Sequence, residues 1–556
     1  MFALRSVIAI CFLRNGGRLI CLPLVLLITA PLRTARAQCE HKITASDACA
    51  DSRFGIAVSV EANLALIGAP VGRVGTGPGA AYVYRFTGGT WVEEQKLFAN
   101  DGQPTDMYGH SVCIRGDLAL VGVPGDDDAC PSDPTCDSGS AYVYRFDGST
   151  WVQEQKLSAS DATAHDNFGI TVAVSEEFAM VGAYRHDLSK GAIYVFRFDG
   201  TSWVETQKLT ANDAEPGDNY GRPLYLEGTV AATGAVANDD AGSDSGAAYI
   251  LRYDGSRWVE EQKLTGSDAS AGDYSHVICV SGDVAVVGAQ GDDDACPGDP
   301  YCNSGSAYIF RFNGSSWVEE QKLVASDAEA GDNFGAAVGI VGDVVLIGAI
   351  LDDDACPSDP SCNSGAVYVY RYDGSNWFEE SKLTASDGEQ GDTFGRLAFR
   401  GNVALVGADR DDDGGSDAGS AYLYVVDSFA ASWTNYGDGW PGTNGIPGFT
   451  SQGRPVLGTS VVLDIDNSLG ASTAAVLLIG LAPASVDTAL GGKLLVVPRF
   501  TIPFVLPGSG AALPGEIPCD GALSGLALFL QILERDVGAS RGVSFTRGLR
   551  LDIGSY

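Results

Sequence analysis

The hydrophobic residues of this chain fall in short runs that alternate with polar residues and are separated by Gly, Asp, Asn and Ser. In one such run, Tyr142, Tyr144 and Phe146 fall on one face of the expected strand, and Val143 and Arg145 fall on the other. A period of two is typical of a half-buried β-strand. The pattern therefore predicts an all-β protein built from short strands.

The strands recur in one unit of roughly 50 to 60 residues that occurs seven times. Each unit holds an aromatic-Gly step and then a Gly-Ala step, and most units place Asp-Gly or Asn-Gly between the third and fourth strands, a strong hairpin signal. Four antiparallel strands that cannot bury their own apolar faces must stack on their neighbours. The repeat therefore predicts a seven-bladed β-propeller. The aromatic residues of the first step are Phe54, Tyr108, Phe168, Tyr220, Tyr274 (followed by Ser275), Phe334 and Phe394.

The two ends of the array complement each other. The seventh unit stops after Tyr424 without a fourth strand, and the missing sequence stands instead at Lys42–Asp47. We expect a propeller over residues 38–427 that its N-terminal strand closes, because closure removes an exposed sheet edge. Residues 428–448 are rich in Gly, Asn, Asp and Pro and are predicted to be a linker. Short apolar runs in residues 449–556 predict a small β-sandwich.

Phe-Gly followed by Gly-Ala-Pro, repeated seven times, resembles the FG-GAP repeats of the integrin α-subunit propeller. The segments Trp317–Leu323 and Ser364–Arg371 resemble the bacterial branch of that family. In the integrin-type repeat, a calcium loop joins the first two strands. Here that connection is a short turn, as at Gly342-Asp343, which cannot supply the six to eight oxygens that calcium takes. We therefore do not expect the family's calcium sites at these turns.

Residues 1–37 have the features of a secretory signal peptide, with arginines before an apolar stretch and a small-x-small site at Ala35–Ala37. The apolar stretch is short and contains Pro23, so a retained membrane anchor is the less favoured interpretation. No later segment has the length and polarity of a membrane span. We expect the mature chain to be secreted or displayed at the cell surface, without a membrane span.

Cysteine spacing agrees with export. Three loops read Cys-Pro-x-Asp-Pro-x-Cys, which favours local disulfides in an oxidising compartment over metal sites. Cys113 and Cys279 occupy equivalent first-strand positions and are predicted to be buried free thiols. Cys519 has no predicted role. The predicted disulfides are Cys130–Cys136, Cys296–Cys302, Cys356–Cys362 and, as a fourth pair, Cys39–Cys49.

The formal net charge is −36, from 35 basic and 71 acidic side chains. Nucleic acid is therefore excluded as a partner, since phosphate binding needs a basic stripe. Anionic membrane surfaces are disfavoured for the same reason. The balance suits a protein that meets cations, basic partners or a saline exterior.

Two sets of connections share one face of a propeller, here called the loop face: those between strands two and three, and those from strand four to the next blade. Both sets carry aspartates, so the loop face is predicted to hold a ring of carboxylates. One interpretation is calcium bound by carboxylates and loop carbonyls, or a pocket for a cationic or hydroxyl-rich ligand. The other is a solvated acidic rim whose Asp and Asn residues stabilise turns. The candidate calcium ligands are Asp126, Asp127, Asp128, Asp292, Asp293, Asp294, Asp352, Asp353, Asp354, Asp411, Asp412 and Asp413.

No catalytic residue is predicted, because no nucleophile, metal partner or catalytic motif accompanies the five histidines. His110 and His276 are expected to pack between blades, and His165 is the one histidine placed for acid-base chemistry on the loop face. The repeated tryptophans are expected to pack between blades. We interpret the chain as a non-enzymatic adhesion or recognition scaffold for an extracellular protein or glycan. The alternatives are a purely structural envelope or matrix protein, and a propeller-type hydrolase or lyase.

Overall fold

The computed structural model describes residues 7–13, 19–25, 40–70, 77–87, 89–130, 133, 135–296, 302–354, 362–426, 432–452, 455, 460–517 and 526–553. The chain divides into two compact units, one of His41–Tyr424 and one of Val425–Tyr556 together with Met1–Glu40. Near the N-terminus, β1 (Val7–Leu13) pairs antiparallel with β2 (Leu19–Val25). Apart from these two strands, residues 1–37 lie outside the described part of the chain, and the signal peptide stays a prediction. Among the described residues, no helix has the length and apolar character needed to cross a membrane.

Seven four-stranded sheets make up the first unit, which confirms the predicted propeller. The first strand of this unit is β3 (Glu40–Ile43). Blades one to three are β4 (Ala57–Glu61), β5 (Leu64–Ala69), β6 (Ala80–Thr87), β7 (Thr90–Leu97); β8 (Ser111–Arg115), β9 (Leu118–Val123), β10 (Ser140–Phe146), β11 (Trp151–Leu157); and β12 (Thr171–Val174), β13 (Phe178–Ala183), β14 (Ala192–Phe198), β15 (Trp203–Leu209), with the short helix α1 (His186–Ser189) between β13 and β14.

Blades four to six are β16 (Tyr220–Glu227), β17 (Val230–Ala235), β18 (Ala247–Tyr253), β19 (Trp258–Leu264); β20 (Ser275–Ser281), β21 (Val284–Ala289), β22 (Ser306–Phe312), β23 (Trp317–Leu323); and β24 (Phe334–Val341), β25 (Val344–Ala349), β26 (Ala366–Tyr372), β27 (Trp377–Leu383). The seventh blade contains β28 (Phe394–Arg400), β29 (Val403–Ala408) and β30 (Ser420–Val425). Its fourth strand is β3, in the order β28-β29-β30-β3. The N-terminal strand therefore closes the ring and covers the edge that β30 would otherwise expose.

The aromatic-Gly step fixes how neighbouring blades meet. Phe334 is fully buried, and its backbone N–H donates to the carbonyl of Ser304 in the preceding blade at 3.0 Å. Gly335 has a φ of 95°, and a Cβ there would lie 2.3 Å from the Ser306 carbonyl oxygen, so only glycine fits. A Cβ on Gly288, the glycine of a Gly-Ala step, would lie 2.0 Å from the Gly335 carbonyl oxygen. The two glycines of the repeat thus let the backbones of adjacent blades touch.

The outer strands are joined by paired hydrogen bonds. Between blades four and five, the Trp317 backbone N–H donates to Gln262 Oε1, and Gln262 Nε2 donates to the Trp317 carbonyl, each at 2.8 Å. The Trp317 indole is buried, and its Nε1 donates to Glu261 at 3.2 Å. This tryptophan packs between blades, as predicted. The same Gln–Trp pairing joins Gln95 to Trp151, Gln155 to Trp203, Gln207 to Trp258 and Gln321 to Trp377.

The second unit contains a β-sandwich, as predicted. Its strands are β31 (Ser432–Tyr436), β32 (Phe449–Gln452), β33 (Ser460–Ile465), β34 (Thr473–Gly480), β35 (Pro483–Asp487), β36 (Lys493–Val496), β37 (Phe500–Leu506), β38 (Ala511–Glu516), β39 (Ala527–Arg535), β40 (Val543–Phe545) and β41 (Gly548–Asp552). One sheet has the order β31-β41-β39-β34-β37, with β40 paired to β39, and the other has the order β32-β33-β38. Buried residues from both sheets, including Leu463, Leu477 and Leu530, form one core.

The prediction that residues 428–448 form a linker is wrong where this segment joins the sandwich. Ser432–Tyr436 is a strand that pairs with Gly548–Asp552, and Trp440 bridges to Phe545. The Gly, Asn and Asp content suggested a flexible connection, but Trp433 and Tyr436 belong to a strand at the edge of one sheet of the sandwich.

Candidate ligand-binding site

On the loop face, the acidic connections meet at a lysine from the fourth strand. In blade five, Lys322 Nζ lies 2.8 Å from Asp292, 2.5 Å from Asp294 and 2.9 Å from Asp268. Asp292 and Asp294 come from the connection between strands two and three, and Asp268 comes from the connection between blades four and five. The two loop sets therefore share one face, as predicted, and one ammonium group joins them. We call this arrangement a lysine–aspartate cluster.

The cluster recurs with the same geometry. Blade five's Tyr308 places its ring 5.2 Å from the Lys322 ammonium and donates its hydroxyl to Asp268 at 2.6 Å. Burial alone would lower the pKa of Lys322, but Asp292, Asp294 and Asp268 raise it well above its usual value. Equivalent clusters hold Lys156 with Asp101, Asp126 and Asp128; Lys382 with Asp327, Asp352 and Asp354; and Lys42 with Asp387, Asp411 and Asp413.

These clusters do not fit a calcium ion as they stand. In blade seven, one oxygen from each of Asp387, Asp411 and Asp413 falls within a 4.8 Å group that could hold a metal ion, but Lys42 contacts all three carboxylates at 2.7–2.8 Å. A cation would have to displace this ammonium group. Calcium binding stays a prediction. The ammonium group of Lys42 would compete with a calcium ion for these carboxylates.

The middle aspartates of the triplets serve the loop itself. Asp127 Oδ1 accepts the Asp137 backbone N–H at 2.8 Å, and Asp412 Oδ1 accepts that of Asp417 at 2.7 Å. The first aspartates form turns as well, since Asp292 Oδ1 accepts the Asp294 N–H at 3.0 Å. Such side-chain bonds to the following backbone stabilise turns without a ligand.

A second ring of buried carboxylates closes the loops that lead into each blade. Asp332 Oδ2 accepts the Glu329 N–H at 2.7 Å. Burial, together with the charges of Asp352 and Asp353, raises the pKa of Asp332 to about 7 against the opposing hydrogen bond. The pKa of Asp106 and of Asp392 rises to about 6 for the same reason. Carboxyl groups of this ring therefore carry protons at mildly acidic pH.

Two predicted disulfides are present, Cys130–Cys136 and Cys296–Cys302. Cys362 is disulfide-bonded, while Cys356, like Cys39 and Cys519, lies outside the described residues. The predicted Cys39–Cys49 bond is wrong, because Cys49 is a free, exposed thiol in a turn where its carbonyl accepts the Ser52 hydroxyl at 2.8 Å. Cys113 and Cys279 are free thiols, as predicted; Cys113 is buried, and Cys279 is half-buried.

The centre of the propeller is a cavity of about 590 Å³, lined by the first strand of every blade. Its lining includes the residue that directly follows each aromatic-Gly step (or, in blade five, Tyr274-Ser275). These residues are Ile56, His110, Ile170, Arg222, His276, Ala336 and Arg396. The aromatic-Gly step repeats, but the next residue does not, so the channel is chemically asymmetric.

At the loop-face mouth of this channel, arginines outnumber carboxylates. Arg53 and Arg396 both pair with Asp409, which is fully buried, and Arg396 Nε lies 2.9 Å from its Oδ1. Arg222 places its guanidinium 5.7 Å from the ring centre of Tyr184, and Arg185 lies 5.2 Å from the same ring. Among the described residues, neither Arg222 nor Arg185 pairs with a carboxylate. We call Arg53, Arg185, Arg222, Arg396 and Asp409 the arginine mouth.

The opposite end of the channel is balanced. Arg400 forms an ion pair with Glu61 and lies 3.2 Å from Glu227, while Arg115 lies 3.5 Å from Glu61. Arg400 belongs to blade seven and Glu227 to blade four, so this network crosses the channel. Its two arginines and two glutamates neutralise one another, in contrast to the arginine mouth.

The channel also corrects the prediction for two histidines. His110 and His276 line the cavity rather than packing only between blades. Burial, together with the charge of Arg222, lowers the pKa of each to about 4, so both rings are neutral near pH 7. His276 Nδ1 lies 2.6 Å from the Tyr274 carbonyl oxygen, which leaves Nε2 as an acceptor. His165 has an exposed side chain 3.9 Å from Asp137, at the disulfide loop of blade two.

Sequence reasoning placed the loop-face aspartates but missed the arginine mouth. The signal was the variable residue after each conserved-looking step, because Arg222 and Arg396 stand where other units carry Ile, His or Ala. Likewise Asp409 stands where other units place Pro, Tyr, Val, Gln or Ile after Gly-Ala or Gly-Val. Comparing equivalent positions between units would have found these residues.

Seven four-stranded sheets around a central channel define a seven-bladed β-propeller. The family model of the FG-GAP repeat matches seven segments of this chain, residues 38–84, 91–144, 151–196, 203–251, 258–310, 317–370 and 377–424. Together these segments make up more than half of the chain, so the chain belongs to the FG-GAP repeat family. No curated protein matches the chain at a significant level.

Three solved structures give an idea of the distance to other proteins. Sqt1 from Chaetomium thermophilum is 13% identical, with 66% of this chain and 83% of that chain covered and a TM-score of 0.39. The β-propeller domain of the Trilobed protease from Pyrococcus furiosus is 6% identical, with 63% of this chain and 89% of that chain covered and a TM-score of 0.33. The acylaminoacyl peptidase from Pyrococcus horikoshii is 8% identical, with 74% of this chain and 57% of that chain covered and a TM-score of 0.34. No functional argument rests on likenesses this distant.

Proposed function

We propose that this chain is an exported recognition scaffold, which binds an extracellular protein or glycan at the loop-face end of its central channel. The observation that carries the proposal is the loss of repetition at that end. Arg222 and Arg396 occupy equivalent positions to Ile56, Ile170 and Ala336 in a ring that is otherwise built from repeated sequence. A cavity of about 590 Å³ lies within the usual size of a ligand site, about 300–1,000 Å³.

The disulfides and the repeat family support an extracellular location. Cys130–Cys136 and Cys296–Cys302 are formed in loops of the propeller, and such bonds persist in oxidising compartments. The loop-face carboxylates support a different role. In four blades, Lys322 or an equivalent lysine contacts three of these carboxylates, so they serve the fold and leave the mouth as the distinctive surface.

The test is an array of neutral glycans, acidic glycans and extracellular matrix proteins, probed with the labelled mature chain. An Ala336→Trp variant narrows the channel, because Ala336 lines it. We expect saturable binding of one ligand class that Ala336→Trp abolishes. A Ser315→Trp variant is the matched control, because Ser315 lies exposed in the hairpin turn of blade five. Binding to no ligand, or equal loss in both variants, would contradict the proposal and favour a purely structural role.

An enzyme is the second candidate, and one observation favours it. His110 and His276 stay neutral near pH 7 inside the channel, since the pKa of each is about 4, and a neutral imidazole can accept a proton. The expectation of a non-enzymatic chain stays a prediction. Any ligand found on the array should be incubated with the protein and analysed for cleavage or elimination. A new product in the wild type that is lost in His276→Ala would establish a hydrolase or lyase.

A further inference from the structure

The arginine mouth concentrates positive charge in a chain whose net charge is −36. Four arginines meet one carboxylate there, because Asp409 pairs with Arg53 and Arg396 and leaves Arg185 and Arg222 without one. Arg222 lines the channel, and its side chain is exposed to solvent there. A solvent-exposed guanidinium that has no carboxylate partner is available to an anionic ligand.

The neighbours of Arg222 confirm that it lies in a positive field. Burial lowers the pKa of Arg222, and the charges of Arg396 and Arg185 lower it further. The aromatic ring of Tyr184 is its recorded contact partner, at 5.7 Å. A guanidinium presents a planar fork of N–H donors that matches a carboxylate or sulfate group. The electrostatics of the mouth therefore favour an anion, in contrast to the acidic rim around it.

We propose that the arginine mouth binds an oxyanion, the carboxylate or sulfate group of a small hydroxyl-rich ligand such as an acidic sugar, and that Arg222 contacts this group. The inference rests on the proposed recognition function and names the chemistry of its ligand. The size of the cavity suits a sugar of one or two rings. His276 Nε2 and the amide of Gln290, which also lines the cavity, provide hydrogen-bond partners for hydroxyl groups.

Acidic sugar is favoured over an acidic peptide because the binding groups lie inside a channel rather than on an open surface. At the far end, the ion pairs of Arg400 with Glu61 and Glu227 cross the channel, so an extended chain cannot pass straight through. The lysine–aspartate clusters around the mouth present no free cation to a second acidic residue. The site is thus built for one anionic group on a compact ligand.

The experiment titrates the mature protein with D-glucuronate, D-glucose and inorganic sulfate at constant ionic strength, by calorimetry or ligand-observed NMR. Glucose is the matched neutral probe, since it differs from glucuronate in the carboxylate. We expect glucuronate to bind about tenfold more tightly than glucose or better, and sulfate to compete with it. An Arg222→Ala variant should lose on the order of ten- to a hundredfold in affinity for glucuronate. Arg257→Ala, at an arginine whose side chain is 71% exposed, should lose none.

Three results would overturn the inference: equal binding of glucose and glucuronate, glucuronate binding that Arg222→Ala leaves unchanged, or no binding of glucuronate and sulfate. Two combinations of results separate the anion inference from the proposed recognition function. If Ala336→Trp abolishes binding of an array ligand and Arg222→Ala does not, the site recognises its ligand without an anion contact. If glucuronate binds through Arg222 but no array ligand binds, the anion site is real and the recognition role is wrong.

Discussion

The acidic rim, formed by the lysine–aspartate clusters, and the arginine mouth lie on the same face of the propeller. Carboxylates outnumber basic groups on the rim, and arginines outnumber carboxylates at the mouth. On the rim, Lys322 Nζ lies 2.5–2.9 Å from carboxylate oxygens of three aspartates. This arrangement occurs in four blades. At the mouth, Arg222 has no acidic partner among the described residues, and no other blade carries an arginine in the same setting except Arg396. The carboxylates of the rim repeat and contact a lysine in four blades, whereas the arginines of the mouth do not repeat in this way and two of them have no carboxylate partner among the described residues.

This difference shows where function is to be sought in a repeat protein. A polar residue that recurs in every blade has the same neighbours each time, so its interactions satisfy the unit that contains it. Asp292 illustrates this, since it accepts hydrogen bonds from Ser306, Tyr308 and the Asp294 backbone within its own blade. A residue that most blades lack at its position, such as Arg222, need not have such partners and is available to a ligand.

The largest effect should come from the repeated glycines. Gly335→Ala should destabilise the propeller by about 3 kcal/mol or more, because the new Cβ would lie 2.3 Å from the Ser306 carbonyl at a φ of 95°. Gly314 is a matched control with a φ of 97° and nothing within 4 Å of a Cβ, so Gly314→Ala should cost only about 1–2 kcal/mol. Chemical unfolding of both variants measures the difference. Equal losses would mean that close contact between blades does not hold the ring together.

A lysine–aspartate cluster should be the next most sensitive feature. Lys322→Met removes the cation from a buried Asp292 and two partly exposed aspartates, and should cost about 2–3 kcal/mol, below the range for a fully buried pair. Lys96→Met should cost less than about 1 kcal/mol, since the half-exposed Asp47 is the one carboxylate that pairs with Lys96 among the described residues.

The same variant decides the calcium prediction. Without the Lys322 ammonium, three carboxylates remain that repel one another and can take a divalent cation. We expect millimolar calcium against chelator to raise the melting temperature of Lys322→Met and to leave the wild type nearly unchanged. A calcium-dependent shift of equal size in the wild type would show that the ion displaces the lysine, and would restore the calcium prediction in full.

Much of the propeller could be predicted from the sequence, because its local rules repeat. Each blade repeats the aromatic-Gly step, the Gly-Ala step and the hairpin turn, so each of these patterns predicts a contact that recurs around the ring. The segment Lys42–Asp47 predicts the closure of the ring, because it matches the strand that the seventh unit lacks. The lysine–aspartate clusters were not predicted, because Lys322 and Asp294 are separated by 28 residues and come together only when strand four folds beside the loop. The strand at Ser432–Tyr436 was missed because polar, Gly-rich flanks concealed its two aromatic residues.

The buried ring of aspartates should set the pH dependence of stability. The pKa of Asp332 is about 7 in the folded state and 3.8 as an ordinary carboxyl, so between these values the folded chain holds a proton that the unfolded chain releases. Its contribution is therefore fully present below about pH 4 and is lost as the pH rises through 7. Asp332→Asn keeps an oxygen for the Glu329 N–H and removes the charge, so it should stabilise the protein by about 1–2 kcal/mol at pH 8 and have no effect at pH 4.

The control for this titration is Asp147→Asn. Hydrogen bonds from Thr150 and Ser149 hold the pKa of the exposed Asp147 below its usual value, so its removal should bring no gain between pH 5 and 8. Melting curves at four pH values compare the two variants with the wild type. A pH-independent effect of Asp332→Asn would mean that Asp332 is ionised throughout and that the ring is solvated.

The smallest effect should come from the residue to which we assign the ligand contact. Arg222→Ala should change the free energy of unfolding by less than about 0.5 kcal/mol, because its guanidinium pairs with no described carboxylate, and losing it relieves repulsion with Arg396 and Arg185. Arg396→Ala is the matched variant on the other side of the mouth, and should cost about 1–2 kcal/mol, since it leaves the fully buried Asp409 with Arg53 as its one cationic partner among the described residues. Urea unfolding without ligand gives both numbers. If Arg222→Ala were as costly as Arg396→Ala, Arg222 would belong to the fold, and the division between repeated structural residues and unique functional ones would fail at the position that defines it.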